Sequence, residues 1–315
     1  MFLSGPATVV YSASDLSAAA ACEWALLRRL DAKLGRIDAT AAAEDAMLAR
    51  TGELGDAHER RMLDRLRATR TVVEIERPPF VDISAGVGGS AVAESEAALR
   101  GGAAVVFQAA FFDGRFLGYA DFIIRGEAGT DDVARYEIYD TKLARSAKIT
   151  ALLQLAAYSD QLLRMGIPIG ENVHLLLGDG RTSSHRVRDI LPVYRARRAR
   201  LERLVDERVA DPAPTPWGDP RYAACGRCDL CEEQVQQHRD VLLVANLRLS
   251  QRARLRAANV CSIDDLAARH TPVPGLSDST LATLQGQARL QIAPRVPGRP
   301  LNWEIVNPAA LAALP

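Results

Sequence analysis

The chain has 315 residues, 48% of them hydrophobic, and its 39 basic residues balance 39 acidic ones. This length predicts one large domain and a smaller one, with enough apolar residues for a sizeable core. A formal net charge of zero excludes overall basicity as the basis of nucleic-acid binding, which would need local basic patches instead. No apolar run is long enough to cross a membrane and no signal-peptide pattern opens the chain, so we expect a cytoplasmic protein without a membrane partner.

Helical patterns dominate the first hundred residues. Ser12 offers an N-cap to the first helix, which includes Cys22, and a later helix carries His58 among acids and arginines. A lone cysteine or histidine on a helix is usually a packing or surface residue. The elements predicted here are helices over residues 15–30, 40–69 and 90–100, and a strand over residues 71–76 that a Pro-Pro pair ends.

Three strand-like runs follow, and polar residues interrupt them. The runs cover residues 103–112, 116–125 and 136–142, with turns at Asp113-Gly114 and over residues 126–132. Asp121 lies on the second strand, and Gln108 on the first either faces the same site or packs in the core. Asp140 and Lys142 share one face of the third strand, because side chains alternate along a strand. Such a pair is either a salt bridge at a sheet edge or part of a binding site.

The same residue types suit metal-assisted cleavage of a phosphodiester. Two carboxylates can hold a hard divalent cation through oxygen, and a neighbouring lysine can steady a phosphate or orient a water. Lysine is rare in this chain, which has 36 arginines but three lysines: Lys33, Lys142 and Lys148. Two of the three lie in this segment, where a compact ammonium differs usefully from a guanidinium. The lysine distribution therefore favours a functional interpretation.

The next segment predicts a helix, a strand and a second helix. The helix over residues 147–165 is amphipathic and carries Gln154 and Tyr158 on one face. With a further strand over residues 172–177, the order of elements predicts an α/β fold with a mixed sheet flanked by helices. An arginine-rich helix over residues 192–209 is either a solvated face with internal acidic partners or a surface that follows phosphates.

Taken together, these motifs resemble the PD-(D/E)xK nuclease superfamily, and its RecB-like branch in particular, over roughly residues 14–240. The resemblance rests on Asp121, on the Asp-x-Lys run that ends at Lys142, on the earlier helical His58, and on the Gln-x-x-x-Tyr helix that ends its motif at Tyr158. It implies a restriction-endonuclease-like fold.

The resemblance also implies a role for each residue. The implied ligands of Mg²⁺ or Mn²⁺ are His58, Asp121, Asp140 and the Thr141 carbonyl. Lys142 would position the attacking water or stabilise the transition state, and Gln154 and Tyr158 would contact DNA or support the residues that do.

The implied activity is hydrolysis of phosphodiesters by an exonuclease that acts on single-stranded DNA or DNA ends in repair and recombination. Relatives work with a helicase partner or a fused helicase. The alternative is a non-catalytic DNA-binding scaffold built on the same fold. Loss of an acid or of the lysine would favour that alternative, and none is missing from the sequence.

Four of the five cysteines form a second pattern. Cys225, Cys228 and Cys231 have C-x2-C-x2-C spacing and can converge on one metal centre, for which Cys22 is the obvious fourth ligand. This set resembles the iron–sulfur nucleases of the AddB type and implies a [4Fe–4S] cluster. Structural zinc on the same residues is the alternative. The spacing departs from that family's usual C-x2-C-x5-C, and His238 lies near the place of a later ligand.

The remaining chain predicts a small helical module over residues 241–293, after a nuclease domain over residues 1–240 and before a linker or tail over residues 294–315. Its Pro-Gly turn at Gly275 resembles a helix–hairpin–helix, which offers backbone N–H groups to a DNA phosphate. Cys261 is predicted to be a buried structural residue. The predicted helices cover residues 250–258, 262–268 and 277–291, and the supporting arginines are Arg248, Arg252, Arg254 and Arg256. The order resembles the first part of longer actinobacterial RecB-like nucleases, so we expect a truncated or split form of them.

Overall fold

A computed structural model describes residues 1–4, 8–38, 46–77, 89–128, 133–294 and 302–305. The chain divides into two compact units, Met1–Thr215 and Pro216–Pro315. Several predicted features lie outside the described residues: the start of the second helix over residues 40–45, the Pro-Pro pair at 78–79, residues 129–132 of a turn, and most of the tail.

The first unit is built on a six-stranded mixed sheet, preceded by a short antiparallel pair, β1 (Phe2–Leu3) and β2 (Val9–Val10). The strands of the main sheet keep their sequence order in space: β3 (Val72–Glu74), β4 (Val105–Phe112), β5 (Leu117–Ala128), β6 (Ala134–Lys142), β7 (Ile169–Leu177) and β8 (Thr182–Arg186). Pairs β3–β4 and β6–β7 are parallel and the other neighbours are antiparallel.

Helices flank this sheet, which confirms the predicted α/β class. The helices of the first unit are α1 (Ala13–Ala21), α2 (Glu23–Lys33), α3 (Ala46–Arg67), α4 (Gly89–Arg100), α5 (Ile149–Arg164) and α6 (Val187–Ala210). Helix α3 packs Leu63 and Leu66 in one apolar cluster with strand residues such as Phe122. Helix α5 buries Leu155 and Leu162 in the larger core.

Three elements differ from their predictions for local reasons. The helix predicted over residues 15–30 is interrupted at Cys22, whose extended backbone (φ −162°, ψ 100°) ends α1, while its Sγ accepts a bond from the Ala25 N–H at 3.4 Å and caps α2. Helix α6 begins at Val187, five residues before the predicted start at residue 192, so Pro192 lies inside the helix. Strand β8 was missed because its five residues are mostly polar and carry no apolar alternation.

The arginines of α6 serve mainly in pairs within the first unit. Arg198 is 8% exposed and lies 2.7 Å from Asp113 in the β4–β5 turn. Arg195 bonds to Asp160, and the fully buried Arg208 lies 3.2 Å from Asp31. The structure thus favours internal pairing over a surface that follows phosphates for these three arginines.

The second unit is helical and has its own apolar core around Val241, Leu255 and Leu266. Its helices are α7 (Asp229–Gln237), α8 (Leu249–Ala257), α9 (Ile263–Ala268) and α10 (Asp278–Ile292), with a 3₁₀ turn at Val241–Leu243. Because the unit starts at Pro216, the predicted boundary at residue 240 falls inside it.

Buried polar contacts explain where that unit begins and what its arginines do. Asp240 is fully buried and accepts bonds from Trp217 (2.9 Å) and Arg252 (2.6 Å), which ties the segment after residue 215 to α8. Arg254 donates to the carbonyl of Gly275 at 2.6 Å and so holds the turn between α9 and α10. DNA binding by this hairpin stays a prediction. Cys261 is exposed, so its predicted burial is wrong: it lies just before the Ser262 cap of α9, outside the core.

The Asp113–Arg198 pair should stabilise the first unit in a pH-dependent way. Burial opposes the charge on Asp113, but bonds from Arg198, Gln161 and the Phe116 N–H lower its pKa to about 2. Since the folded pKa lies below the unfolded value, the contribution is complete above about pH 4 and is lost as the pH falls toward 2. We expect Asp113→Asn to lower the free energy of unfolding by about 2 kcal/mol at neutral pH, as measured by urea titration.

The matched control is Asp206→Asn, which removes a more exposed acid, 2.7 Å from Arg115. Exposed ion pairs contribute little to stability, so Asp206→Asn should lower the free energy of unfolding by less than about 1 kcal/mol at neutral and at acidic pH. Equal losses in both variants, or a loss in Asp113→Asn that does not shrink in acid, would contradict the assignment.

Candidate active site and metal centre

Strand register brings three polar residues into one line across the sheet. The β5–β6 ladder pairs Phe122 with Tyr139, so the next position sets Asp121 opposite Asp140. The β4–β5 ladder pairs Phe107 with Phe122, so its next position sets Gln108 opposite Asp121. Like charges directly opposite each other destabilise a sheet unless something offsets them. The line therefore marks a place where the fold requires a compensating partner.

Asp121 is oriented by the neighbouring strand. Its Oδ2 accepts bonds from the backbone N–H (2.8 Å) and the hydroxyl (2.9 Å) of Thr141. The two donors of Thr141 fix the Asp121 carboxylate in place, next to the point where the pairing of β5 with β6 ends. Thr141 thus has a positioning contact with Asp121 in addition to the carbonyl role predicted for it.

Asp140 is fully buried and incompletely satisfied. Lys142 Nζ forms an ion pair with its Oδ2 at 2.6 Å, but neither carboxylate oxygen accepts a well-directed hydrogen bond among the described residues. Burial, and next the charge of Asp121, raise the pKa of Asp140 well above its ordinary value. A cation beside this pair of acids would remove that cost, and carboxylate oxygens are the donors that Mg²⁺ and Mn²⁺ prefer.

Lys142 keeps its charge beside these acids. Burial disfavours the ammonium, but the carboxylates of Asp140 and Asp121 more than offset it and raise the pKa of Lys142. The side chain is about one-third exposed, so it reaches from Asp140 toward solvent. An ammonium held in this way is suited to a phosphate oxygen or a water molecule.

A cleft of about 640 Å³ opens above these residues. Its walls come from α1, α3, the loop after β6 and the start of α5. Besides Asp121, Thr141 and Lys142, it is lined by Ser17, Thr51, His58, Glu59, Lys148 and Gln154. The structure thus gathers five predicted site residues around one cleft, and both lysines of the 136–148 segment face it.

His58 lines the cleft, but its two ring nitrogens contact residues other than the two acids. Its Nε2 is 3.2 Å from the Leu176 carbonyl of β7, and its Nδ1 is 3.5 Å from Arg61. Among the described residues, His58, Asp121 and Asp140 do not form a set whose donor atoms all lie within 4.8 Å of one another. Ligation of a shared cation by His58 would require a rotation of its side chain.

Gln154 and Tyr158 take different positions. Gln154 lines the cleft, and its amide lies 3.4 Å from the Tyr158 hydroxyl. Tyr158 is 3% exposed and packs against Phe111 and Phe116, so it supports Gln154 from below. Gly118 makes this possible, since a Cβ there would lie 2.8 Å from the Tyr158 ring.

Glu59 is a site residue that the sequence did not single out. It accepts a short bond from Gln108, which therefore faces the site. Burial and the charge of Asp121 raise the pKa of Glu59 to about 7. It lies on a helix rich in acids and arginines, and its position next to His58 was the one available signal.

The cysteines form a separate centre. In the second unit the Cys228 N–H bonds to Cys225 Sγ at 3.3 Å, and Cys225 Sγ lies 3.9 Å from Cys231 Sγ. The Sγ atoms of Cys22, Cys225, Cys228 and Cys231 all lie within 4.8 Å of one another, close enough to bind one metal centre. His238 is not a member of this set.

Among the described residues, no helix is long and apolar enough to cross a membrane. No protein-family model matches the chain, and no curated protein matches it either.

Proposed function

We propose that this protein is a divalent-metal-dependent nuclease that hydrolyses phosphodiesters of DNA, at single strands or ends, on a restriction-endonuclease-like fold. The observation that carries the proposal is the opposed pair Asp121 and Asp140, with the Lys142 ammonium 2.6 Å from the buried Asp140. Asp121 and Lys142 line an open cleft. A salt bridge from Lys142 to one acid would leave the negative charge of the other acid uncompensated. Work beside a helicase in DNA repair is part of the same proposal.

Each residue has a role in this mechanism. Bound Mg²⁺ or Mn²⁺ would neutralise phosphate charge and lower the pKa of its water. Asp121 and Asp140 would hold that ion, with the Thr141 carbonyl and, after rotation of its side chain, His58. Lys142 orients the attacking water or donates to the phosphate as negative charge builds up.

Substrate binding would use the walls of the cleft. Lys148 would supply a second ammonium for the phosphates of a bound DNA strand, and Gln154 would supply a neutral amide. Since the net charge is zero and several arginines are paired internally, we expect these local contacts to carry much of the affinity.

For the cysteine centre we propose a [4Fe–4S] cluster, with structural Zn²⁺ as the rival occupant. Four thiolates converging within bonding reach of one centre fit either group. The chemistry of the donors excludes hard cations such as Mg²⁺ from this second site.

Lys142→Ala should lower cleavage by about 10²–10³-fold or more, because the ammonium acts on charge that develops in the transition state. The assay is cleavage of end-labelled single- and double-stranded DNA with and without Mn²⁺. Thermal unfolding should show that the variant stays folded.

Lys33→Ala is the matched control, since Lys33 is the one lysine outside this segment, and it should cleave normally. Full activity of Lys142→Ala would overturn the mechanism. Wild-type protein that binds DNA but never cleaves it would instead favour the scaffold.

Cys22→Ala should lose the metal of the cysteine centre and lower the unfolding temperature, because bound metal stabilises the folded state. Metal content and anaerobic absorbance near about 400 nm measure the loss. Cys261→Ala, which removes an exposed cysteine outside the set, should retain the metal.

The same measurements identify the metal in the cysteine centre. Colourless protein that holds one zinc would overturn the iron–sulfur proposal but leave the four-cysteine metal centre in place. Unchanged metal content in Cys22→Ala would remove Cys22 from the ligand set.

A further inference from the structure

A row of hydrogen-bonded polar side chains crosses β6, β7 and β8, outside the two sites described above. The strand register pairs Tyr139 with His174 and His174 with Ser184. His174 Nδ1 lies 2.9 Å from Ser184 Oγ, and its Nε2 lies 3.2 Å from Oε2 of Glu137. The next residue of β7, Leu175, lines the cleft, so His174 points to the opposite face of the sheet. The row is therefore separate from the proposed nuclease site.

The surroundings of His174 hold its imidazole in one orientation. The ring is 9% exposed and stacks on Tyr139, with centroids 4.3 Å apart and planes 18° from parallel. The Tyr139 hydroxyl donates to the same Oε2 of Glu137 at 3.2 Å. Gly170 of β7 leaves room for this carboxylate, since a Cβ there would lie 2.7 Å from Glu137 Cγ. Glu137 is thus held at one nitrogen of the imidazole, and the other nitrogen faces Ser184.

The direction of these hydrogen bonds gives each group a chemical role. An ionised carboxylate can only accept, so the proton of the neutral imidazole lies on Nε2, which donates to Glu137. Nδ1 is then an acceptor, and the Ser184 hydroxyl donates to it. A hydroxyl bonded to a base that a third group orients is the arrangement that activates a serine nucleophile.

The backbone of Ser184 adds a hydrogen-bond donor beside the hydroxyl. Where β7 meets the turn, the Leu177 N–H donates to the Arg181 carbonyl at 2.9 Å. Hydrogen-bonded and non-hydrogen-bonded pairs alternate along an antiparallel ladder, so His174 and Ser184, three steps further on, form a non-hydrogen-bonded pair. The Ser184 N–H therefore points away from β7, and β8 is the last strand of the described sheet. A free N–H next to a nucleophile can stabilise an oxyanion.

A second serine–histidine contact on β8 lacks the third group. Ser183 Oγ lies 2.9 Å from His185 Nε2, on the other face of the strand. Within the described part of the chain, His185 has no hydrogen bond to a carboxylate. The two neighbouring serines therefore differ in whether a carboxylate orients the histidine, which makes Ser183 an internal control.

We propose that Ser184 and His174 are the nucleophile and general base of an esterase-type activity, with Glu137 as the positioning residue and short-chain carboxylic esters as substrates. Ser184 Oγ would attack the carbonyl carbon as its proton passes to His174 Nδ1. The bond to the alcohol oxygen breaks, and the alcohol leaves with that proton. Water then releases the acyl group as a carboxylic acid, with His174 again as the base. This activity goes beyond the proposed nuclease, and the exposed position of Ser184 suits a small acyl group.

The test is labelling of the full chain by a fluorophosphonate. The serine oxygen bonds to phosphorus, fluoride leaves, and the histidine takes the proton. We expect an adduct on Ser184, located by peptide mass spectrometry, and none at this position in Ser184→Ala, which changes an exposed residue and should keep the fold. Ser183→Ala is the matched control and should label as the wild type does. His174→Gln should slow labelling about 10²-fold or more.

Hydrolysis of p-nitrophenyl acetate tests the positioning role of Glu137. Glu137→Gln should lower kcat about 10-fold or more and leave KM unchanged, because the carboxylate acts on the imidazole and not on the ester. An unchanged kcat would remove Glu137 from the site.

Two results would overturn the proposal as a whole. One is wild-type protein that is not labelled on Ser184, and the other is labelling at an equal rate in His174→Gln. Circular dichroism checks that each variant keeps its fold. Ser184→Ala should cleave DNA as the wild type does, so the esterase and nuclease proposals fail independently.

Discussion

Two carboxylates facing each other across neighbouring strands are the constraint around which the first unit is arranged. Asp121 and Asp140 repel, and one of them is fully buried. The fold supplies Thr141 to one acid and Lys142 to the other, and this is not enough to satisfy Asp140. A sheet selected for stability alone would carry apolar residues at these positions. The proposed cation site accounts for acids that are kept at these positions at a cost to stability.

The surrounding structure keeps these groups in place under that repulsion. Helix α3 covers one face through Leu63 and Leu66, and α5 fills the other with Tyr158 closely packed over Gly118. The Asp113–Arg198 pair joins the β4–β5 turn to α6. Rigid neighbours on both faces limit how far the two acids can move apart, so backbone movement does little to relieve their repulsion.

Prediction from sequence worked where the signal was local. Apolar alternation gave the central strands, and the Asp-x-Lys run and the cysteine spacing stood out as residue types in short windows. It failed where long-range contacts decide. The contact between Gln108 in β4 and Glu59 in α3 joins residues 49 positions apart in the chain. The internal pairing of Arg198 and the orientation of His58 likewise depend on partners that no local pattern reveals.

The position of Cys22 in the chain also has a consequence for the order of events during synthesis. It leaves the ribosome ahead of the whole sheet, whereas Cys225, Cys228 and Cys231 come after it. A four-thiolate centre can therefore close only when the acids and Lys142 have already been made. Metal insertion would then act as a late checkpoint, and a nascent chain interrupted before residue 225 would carry the cleft without the centre. Pulse-labelled chains that acquire metal before that point would contradict this order.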